Sequence, residues 1–169
     1  RELAMPAVVP ADPTANATDL LVDRVRMTPD DPLFALPHDG GWENVSTRDF
    51  YDRVCSLAKG FIAAGVSPGD RIGFMCKTRY EWTLVDFAAW FAGALLVPVY
   101  ETSAPAQIHY ILDDSGATWF IVETAEHFAR FDEVRGELPA IGQVWKIDLG
   151  DLEKLEASGR EVSDDSLEA

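Results

Sequence analysis

The sequence predicts an α/β domain with a mostly parallel sheet and flanking helices, and two observations support this fold class. From Arg71 onwards, short segments rich in Val, Ile, Phe and Trp alternate with segments of helical periodicity. Such alternation implies right-handed crossovers, which place successive strands parallel in one sheet. The composition also fits a single core, because 47% of the 169 residues are hydrophobic, including nine Phe and five Trp.

The first part of the chain contains a helix and a hairpin. Residues 1–17 are rich in Ala, Pro and Val without periodicity, and we interpret them as a loose leader. A short helix is predicted over 18–28, followed by strands at 32–36 and 42–45. The tetrapeptide His38-Asp-Gly-Gly41 between these strands is typical of a hairpin turn.

The next helix has well-defined ends. Ser46 and Asp49 form a capping-box pattern at its start, and Gly65 occupies the position of a left-handed C-cap. We expect Asp49 and Arg53 to pair on the outer face. A core-facing stripe is predicted at Phe50, Val54, Leu57 and Phe61.

Strands and helices then alternate up to residue 148. The predicted strands are 71–76, 94–100, 118–122 and 143–147, and the predicted helices are 80–93, 105–114 and 125–134. Residues 18–148 are therefore assigned to the α/β domain. The acidic residues 149–169 are interpreted as a helix followed by a tail or linker, with the charges in solvent.

Charge and cysteine usage restrict the partners and the location. A net charge of −15 argues against nucleic acid as a partner and disfavours anionic membranes on average. The longest uncharged stretch, Phe87 to Tyr100, has 14 residues, fewer than the roughly 20 that a membrane span needs. Cys55 and Cys76 fit reduced thiols in a cytoplasmic protein, and no signal peptide is recognised at the start.

Several catalytic motifs are excluded or absent. The segment Gly65-Val-Ser67-Pro-Gly69 matches the hydrolase nucleophile elbow, but a predicted helix precedes it and a strand follows, and Pro68 has no N–H for an oxyanion hole. Neither a dinucleotide-binding glycine motif nor a P-loop is present. His38 lies in a predicted turn. His109 has Asp113 one turn later and His127 has Glu123 four residues before it, but neither pair has an evident third metal ligand, so exposed or edge positions are expected.

Two long segments resemble the acyl-adenylate-forming ligases. The first is LAKGFIAAGVSPGDRIGF, residues 57–74, and the second runs from Glu81-Trp82 through Val97-Pro-Val-Tyr-Glu-Thr102 to Asp114-Ser115. The order and spacing match over roughly residues 18–148. Pro98-Val-Tyr100 followed by Thr102 is similar to the long-chain fatty acyl-CoA ligases, since relatives that act on shorter acids tend to have Asn in place of Tyr100.

The resemblance implies an AMP-forming reaction with ATP, Mg²⁺ and CoA. In that family, a fatty acid carboxylate attacks the α-phosphate to give an acyl-adenylate, and the CoA thiol then displaces AMP. The family's Thr/Ser/Gly-rich phosphate loop, Mg²⁺-holding Thr-Glu pair, ribose-binding Asp and mobile-domain Lys have no counterpart here. We therefore expect an amino-terminal fragment of the large N-terminal domain, without catalytic, cofactor-binding or metal-binding residues and inactive alone.

Tyr100 is the one residue that we expect near the substrate. It should lie at the carboxyl end of a parallel strand, where open α/β sheets bind ligands, although it could also pack against a neighbouring subdomain. Trp82 and Trp90, two turns apart on one helix, are candidates to line an acyl tunnel. Plain core packing is the favoured interpretation for both.

Other functions remain open. A fatty acyl-AMP ligase would make the adenylate without passing it to CoA. A stand-alone small-molecule-binding module and a domain that binds a basic partner through its acidic face are further alternatives. The expected partner is a long-chain fatty acid in the cytoplasm, and peripheral membrane contact and homo-oligomerisation are left open.

Overall fold

A four-stranded parallel sheet forms the centre of the computed structural model, which describes residues 15–167. The predicted fold class is confirmed. The elements are α1 (Ala17–Met27), β1 (Pro32–His38), β2 (Gly41–Ser46), α2 (Thr47–Ala64), β3 (Arg71–Met75), α3 (Tyr80–Phe91), β4 (Leu95–Val99), α4 (Pro105–Ser115), β5 (Trp119–Val122), α5 (Ala125–Asp132), β6 (Gln143–Lys146) and α6 (Asp151–Ser158). Most of the predicted leader, residues 1–14, lies outside the described residues.

The sheet has the order β4-β3-β5-β6, and helices cover both of its faces. Helices α2, α3 and α6 pack on the face that carries Phe74 and Trp145, while α4 and α5 pack on the face that carries Phe120. Strands β1 and β2 form a separate antiparallel hairpin. The domain is therefore a three-layer α/β/α structure with a small second sheet.

Helix α2 begins and ends as its sequence predicts. The Asp49 amide donates to Ser46 Oγ at 3.1 Å, the Ser46 amide donates to Asp49 Oδ2 at 3.3 Å, and Gly65 ends the helix with φ of 101°. The predicted stripe of Phe50, Val54, Leu57 and Phe61 is buried. The predicted Asp49–Arg53 pair is wrong, because Arg53 instead donates to Glu153 and Glu156 on α6.

Helix α6 lies directly against α2. Arg53 Nε is 3.0 Å from Glu156 Oε1, and Leu152 and Leu155 are buried beneath the helix. Gly60 on α2 permits this approach, since a β-carbon there would lie 2.5 Å from the Leu155 carbonyl carbon. The acidic segment is thus a helix, as predicted, but its apolar face is buried instead of the whole segment being solvated.

The turn after α2 agrees with the rejection of a nucleophile elbow. Helix α2 precedes Ser67 and strand β3 follows it, so the order of elements is opposite to the strand–turn–helix order that the elbow requires. The Ser67 amide donates to Asp70 Oδ2 at 2.9 Å, which closes a surface turn.

Candidate functional site

The strand order reverses between β3 and β5. The chain passes from β3 outward to β4, then returns across the sheet to form β5 on the other side of β3. Helices α3 and α4, which make these two crossovers, lie on opposite faces. In open α/β sheets, ligands bind beyond the carboxyl ends of the strands at such a point, so this edge is the first candidate site.

Arg79 fills the space beyond β3 and β5. Its Nε and Nη2 donate to the Glu81 carboxylate at 2.6 and 3.0 Å. Its Nη1 donates to Glu123 Oε1 at 3.3 Å and to Asp148 Oδ1 at 3.0 Å. We call Arg79, Glu81, Glu123 and Asp148 the rim network. The rim network joins the ends of β3, β5 and β6 and pairs one guanidinium with three carboxylates. Its excess of negative charge disfavours a phosphate there.

Glu123 is the buried member of the rim network, with a side chain that is 9% exposed. Besides Arg79, its carboxylate accepts the Lys77 amide at 2.9 Å, and its own amide donates to the Met75 carbonyl at 2.9 Å. Burial and the negative charge of Glu123 raise the pKa of the Cys76 thiol to about 12. The Cys76 thiol is therefore harder to ionise than an exposed cysteine, which disfavours a role as a nucleophile.

Tyr100 follows directly after β4, at the predicted carboxyl end of a parallel strand, and is 80% exposed. Its carbonyl accepts the Ser103 amide at 2.9 Å, and the Ser103 carbonyl in turn accepts Arg130 Nη1 at 3.1 Å. The Tyr100 turn is thus attached to α5. It lies beside the edge strand β4, whereas the strand order reverses at β3 and β5, so its nearness to substrate stays a prediction.

The three histidines differ in environment. His38 is exposed in the hairpin turn, and His109 Nε2 lies 3.7 Å from Glu137 Oε2, which fit the expected exposed or edge positions. His127 is 4% exposed, so its predicted exposed or edge position is wrong. Its Nδ1 has no hydrogen-bond partner, and burial lowers the pKa of its ring. The cause is that α5 turns this side chain towards the sheet, which the spacing between Glu123 and His127 alone does not reveal.

Trp82 and Trp90 make separate aromatic contacts, and their role in lining an acyl tunnel stays a hypothesis. The Trp82 ring packs 5.2 Å from the Phe74 ring, as core packing predicts, while the Trp90 ring packs 5.0 Å from the Phe87 ring. Trp90 also lines a groove of about 1050 Å³ between α1, α2 and the segment that follows α6. The groove has charged walls, including Lys59 and Asp164, whose side chains lie 2.5 Å apart.

Sequence reasoning missed the rim network. A usable signal existed, because Arg79, Glu123 and Asp148 each follow one of the predicted strands by only a few residues, and parallel strands end at one edge of the sheet.

Among the described residues, no group of three or more His, Cys, Asp and Glu side chains is arranged to hold a metal ion. None of the helices described for residues 15–167 combines the length and apolar character that a membrane crossing requires.

Comparison with known proteins gives consistent matches. The family model described as AMP-binding enzyme matches residues 21–168. The chain is 34% identical over 147 residues to the long-chain-fatty-acid–CoA ligase FadD15 of Mycobacterium tuberculosis, covering 87% of this chain and 24% of that protein. It is 26% identical over 127 residues to the ligase ACSBG2 of Xenopus laevis, covering 75% of this chain and 17% of that protein.

Solved structures show the same fold. The long-chain-fatty-acid–CoA ligase FadD1 of Archaeoglobus fulgidus superposes with a TM-score of 0.79 at 18% identity, covering 95% of this chain and 33% of that one. The anthranilate CoA ligase AuaEII superposes with a TM-score of 0.75 at 22% identity, covering 85% and 27%. The chain spans about a quarter of the length of FadD15. Because the family model covers most of the chain, this protein belongs to the AMP-binding enzyme family.

Proposed function

We propose that the chain is the amino-terminal part of a ligase that activates a long-chain fatty acid with ATP and transfers the acyl group to CoA. The main support for this proposal is the 34% identity to a long-chain-fatty-acid–CoA ligase over 147 residues. The fold shared with two CoA ligases supports it. We call the proposed complete protein the full-length ligase.

The proposed reaction has two steps. A carboxylate oxygen of the fatty acid attacks the α-phosphorus of ATP, and the bond to pyrophosphate breaks to leave an acyl-adenylate. The CoA sulfur, having lost its proton, then attacks the acyl carbon, and the carbon–oxygen bond to AMP breaks to give the thioester. Both steps need charge neutralised at the phosphate and reactants held in line.

The described side chains do not suit a nucleoside triphosphate at the edge where the strand order reverses. Arg79 is already paired with three carboxylates, and a triphosphate there would meet the charges of Glu81, Glu123 and Asp148. We therefore assign ATP, Mg²⁺ and CoA to parts of the full-length ligase outside this chain. The role proposed for this chain is structural support, with Tyr100 as its one substrate-proximal residue.

The test is an assay of both polypeptides. The full-length ligase, with ATP, Mg²⁺, oleate and CoA, is expected to release pyrophosphate and form oleoyl-CoA, and the chain alone is expected to release none. Pyrophosphate release without thioester formation would instead identify a fatty acyl-AMP ligase. Pyrophosphate release by the chain above a blank without protein would refute the assignment of the catalytic groups.

We further propose a cytoplasmic location, with peripheral membrane contact and homo-oligomerisation as properties to be tested. The net charge of −15 on this chain disfavours contact between this part of the ligase and an anionic lipid surface. Sedimentation of the full-length ligase with and without anionic vesicles tests this expectation.

A further inference from the structure

The hairpin formed by β1 and β2 has no third strand among residues 15–167. Its base is anchored, since the Phe34 ring lies 4.9 Å from the Phe50 ring and 5.2 Å from the Tyr80 ring. Its distal half, from Pro37 to Asn44, is exposed. A two-stranded sheet is marginally stable unless a third strand or a helix supports it, so the distal half lacks the support that the base has.

The two outer edges of the hairpin differ in their hydrogen-bonding capacity. His38 pairs with Gly41 across the two-residue turn, and the next pair is Pro37 with Trp42. Hydrogen-bonded and non-hydrogen-bonded pairs alternate along an antiparallel ladder, so Ala35 and Pro37 on β1 and their partners Asn44 and Trp42 on β2 turn their backbone groups outward. Pro37 has no N–H, which removes a donor from the β1 edge. The β2 edge keeps the N–H and C=O groups of Trp42 and Asn44.

The outer face of the hairpin carries an exposed apolar pair. Trp42 lies directly opposite Pro37 in the register, and its side chain is 71% exposed. Phe34 and Val45 pair on the opposite face, and both pack against the core. An unpaired edge that runs beside an exposed Trp is a site for strand addition, in which backbone hydrogen bonds bind and an apolar side chain adds specificity.

We propose that the β2 edge receives an extended strand from the part of the full-length ligase outside this chain, with an apolar side chain placed against Trp42. This inference rests on the proposed function, because it needs the longer polypeptide. The chain covers 24% of the M. tuberculosis relative, so most of such a protein is available to supply the strand. A second copy of the chain is the less favoured occupant of this edge, because charge repulsion between copies that each carry −15 opposes the pairing.

Amide hydrogen exchange of the chain and of the full-length ligase tests the proposal. In the chain, the outward amides of Trp42 and Asn44 are expected to exchange rapidly. In the full-length ligase, the same amides are expected to exchange at least about 100-fold more slowly, because they donate to the added strand. The oleoyl-CoA assay is run on the same preparation, so that failure of the proposed function is seen separately.

Two matched proline variants test whether the added strand pairs with the β2 edge or with the β1 edge of the hairpin. Asn44→Pro removes an outward donor from β2, and Ala35→Pro removes an outward donor from β1, while neither removes a bond within the hairpin ladder. In the chain, the two variants are expected to have similar melting temperatures. In the full-length ligase, Asn44→Pro is expected to abolish the slow exchange at Trp42, and Ala35→Pro is expected to leave it unchanged.

Three results would overturn the proposal. The first is rapid exchange of Trp42 and Asn44 in a full-length ligase that forms oleoyl-CoA. The second is protection in the chain that grows with concentration, which would identify a second copy as the occupant. The third is loss of protection with Ala35→Pro and not with Asn44→Pro, which would place the added strand on β1.

Discussion

Replacing Gly60 by Ala tests whether the close approach of α6 to α2 stabilises the fold. Gly60 lies inside α2, and a β-carbon there would lie 2.5 Å from the Leu155 carbonyl carbon and closer still to its oxygen. Carbon atoms normally stay about 3.5 Å apart or more, so α6 must retreat by about 1 Å. A backbone carbonyl cannot rotate away as the end of a side chain can, so the helix as a whole must shift.

The magnitude follows from opposing effects. Overpacking of a tight contact costs about 1–3 kcal/mol, and retreat of α6 also loosens Leu152, which is fully buried, and Leu155, which is 6% exposed. Against this, Ala is favoured over Gly within a helix by about 1 kcal/mol. With the gain in helix propensity subtracted and the loosened leucines included, we expect Gly60→Ala to lower the free energy of unfolding by about 1–2 kcal/mol, whereas helix propensity alone predicts a rise.

Urea unfolding followed by circular dichroism measures this difference. The control is Gly136→Ala, because a β-carbon at Gly136 has no heavy atom within 4 Å, and its effect should stay within about 0.5 kcal/mol. If Gly60→Ala is as stable as the unsubstituted chain, or more stable, then α6 does not pack on α2 as described.

Four further predictions follow from the described contacts. Because burial lowers the pKa of His127 in the folded chain, the unfolded chain takes up a proton there more readily. The free energy of unfolding should therefore fall as the pH drops below the ordinary histidine pKa near 6.5. In the His127→Gln variant, the urea midpoint should change less between about pH 7.5 and 5.5. Arg79→Ala should cost about 1–3 kcal/mol by leaving the Glu123 carboxylate unpaired, whereas exposed Arg48→Ala should cost under about 0.5 kcal/mol. Thiol titration of the denatured, unreduced chain should count both cysteines as free. The chain should also bind a hydrophobic dye or self-associate more than a complete domain of its size, since side chains such as Tyr100, 80% exposed, lack a covering partner.

Each of these predictions has a result that contradicts it. An unchanged pH dependence in His127→Gln would assign the effect to other groups. Equal losses for Arg79→Ala and Arg48→Ala would show that the rim network contributes nothing measurable. A thiol count of zero would reveal a disulfide and argue against a reducing compartment. A monomeric, dye-silent chain with a sharp two-state melt would favour a self-sufficient binding module.

Local patterns in the sequence were sufficient to predict the elements. Ser46 and Asp49 cap α2 because their side chains satisfy backbone amides of their own helix turn, and Gly65 ends it because glycine adopts positive φ without steric cost. The stripe from Phe50 to Phe61 is buried because its spacing places those side chains on one face. These effects depend on neighbours in the chain, so the sequence alone shows them.

Partners distant in the chain were decided only by the tertiary structure. Arg53 had a suitable partner one helical turn away in Asp49, yet it pairs with Glu156, 103 positions later, because α6 packs across α2. Arg79 meets Glu123 and Asp148 because three parallel strands end at one edge of the sheet. His127 is buried because α5 turns that side chain towards the sheet. The sequence by itself determined the order and type of the elements and the family resemblance. The strand order within the sheet determined which charged groups meet. The strand order is a tertiary property, because it depends on how the packed layers bury their apolar faces together.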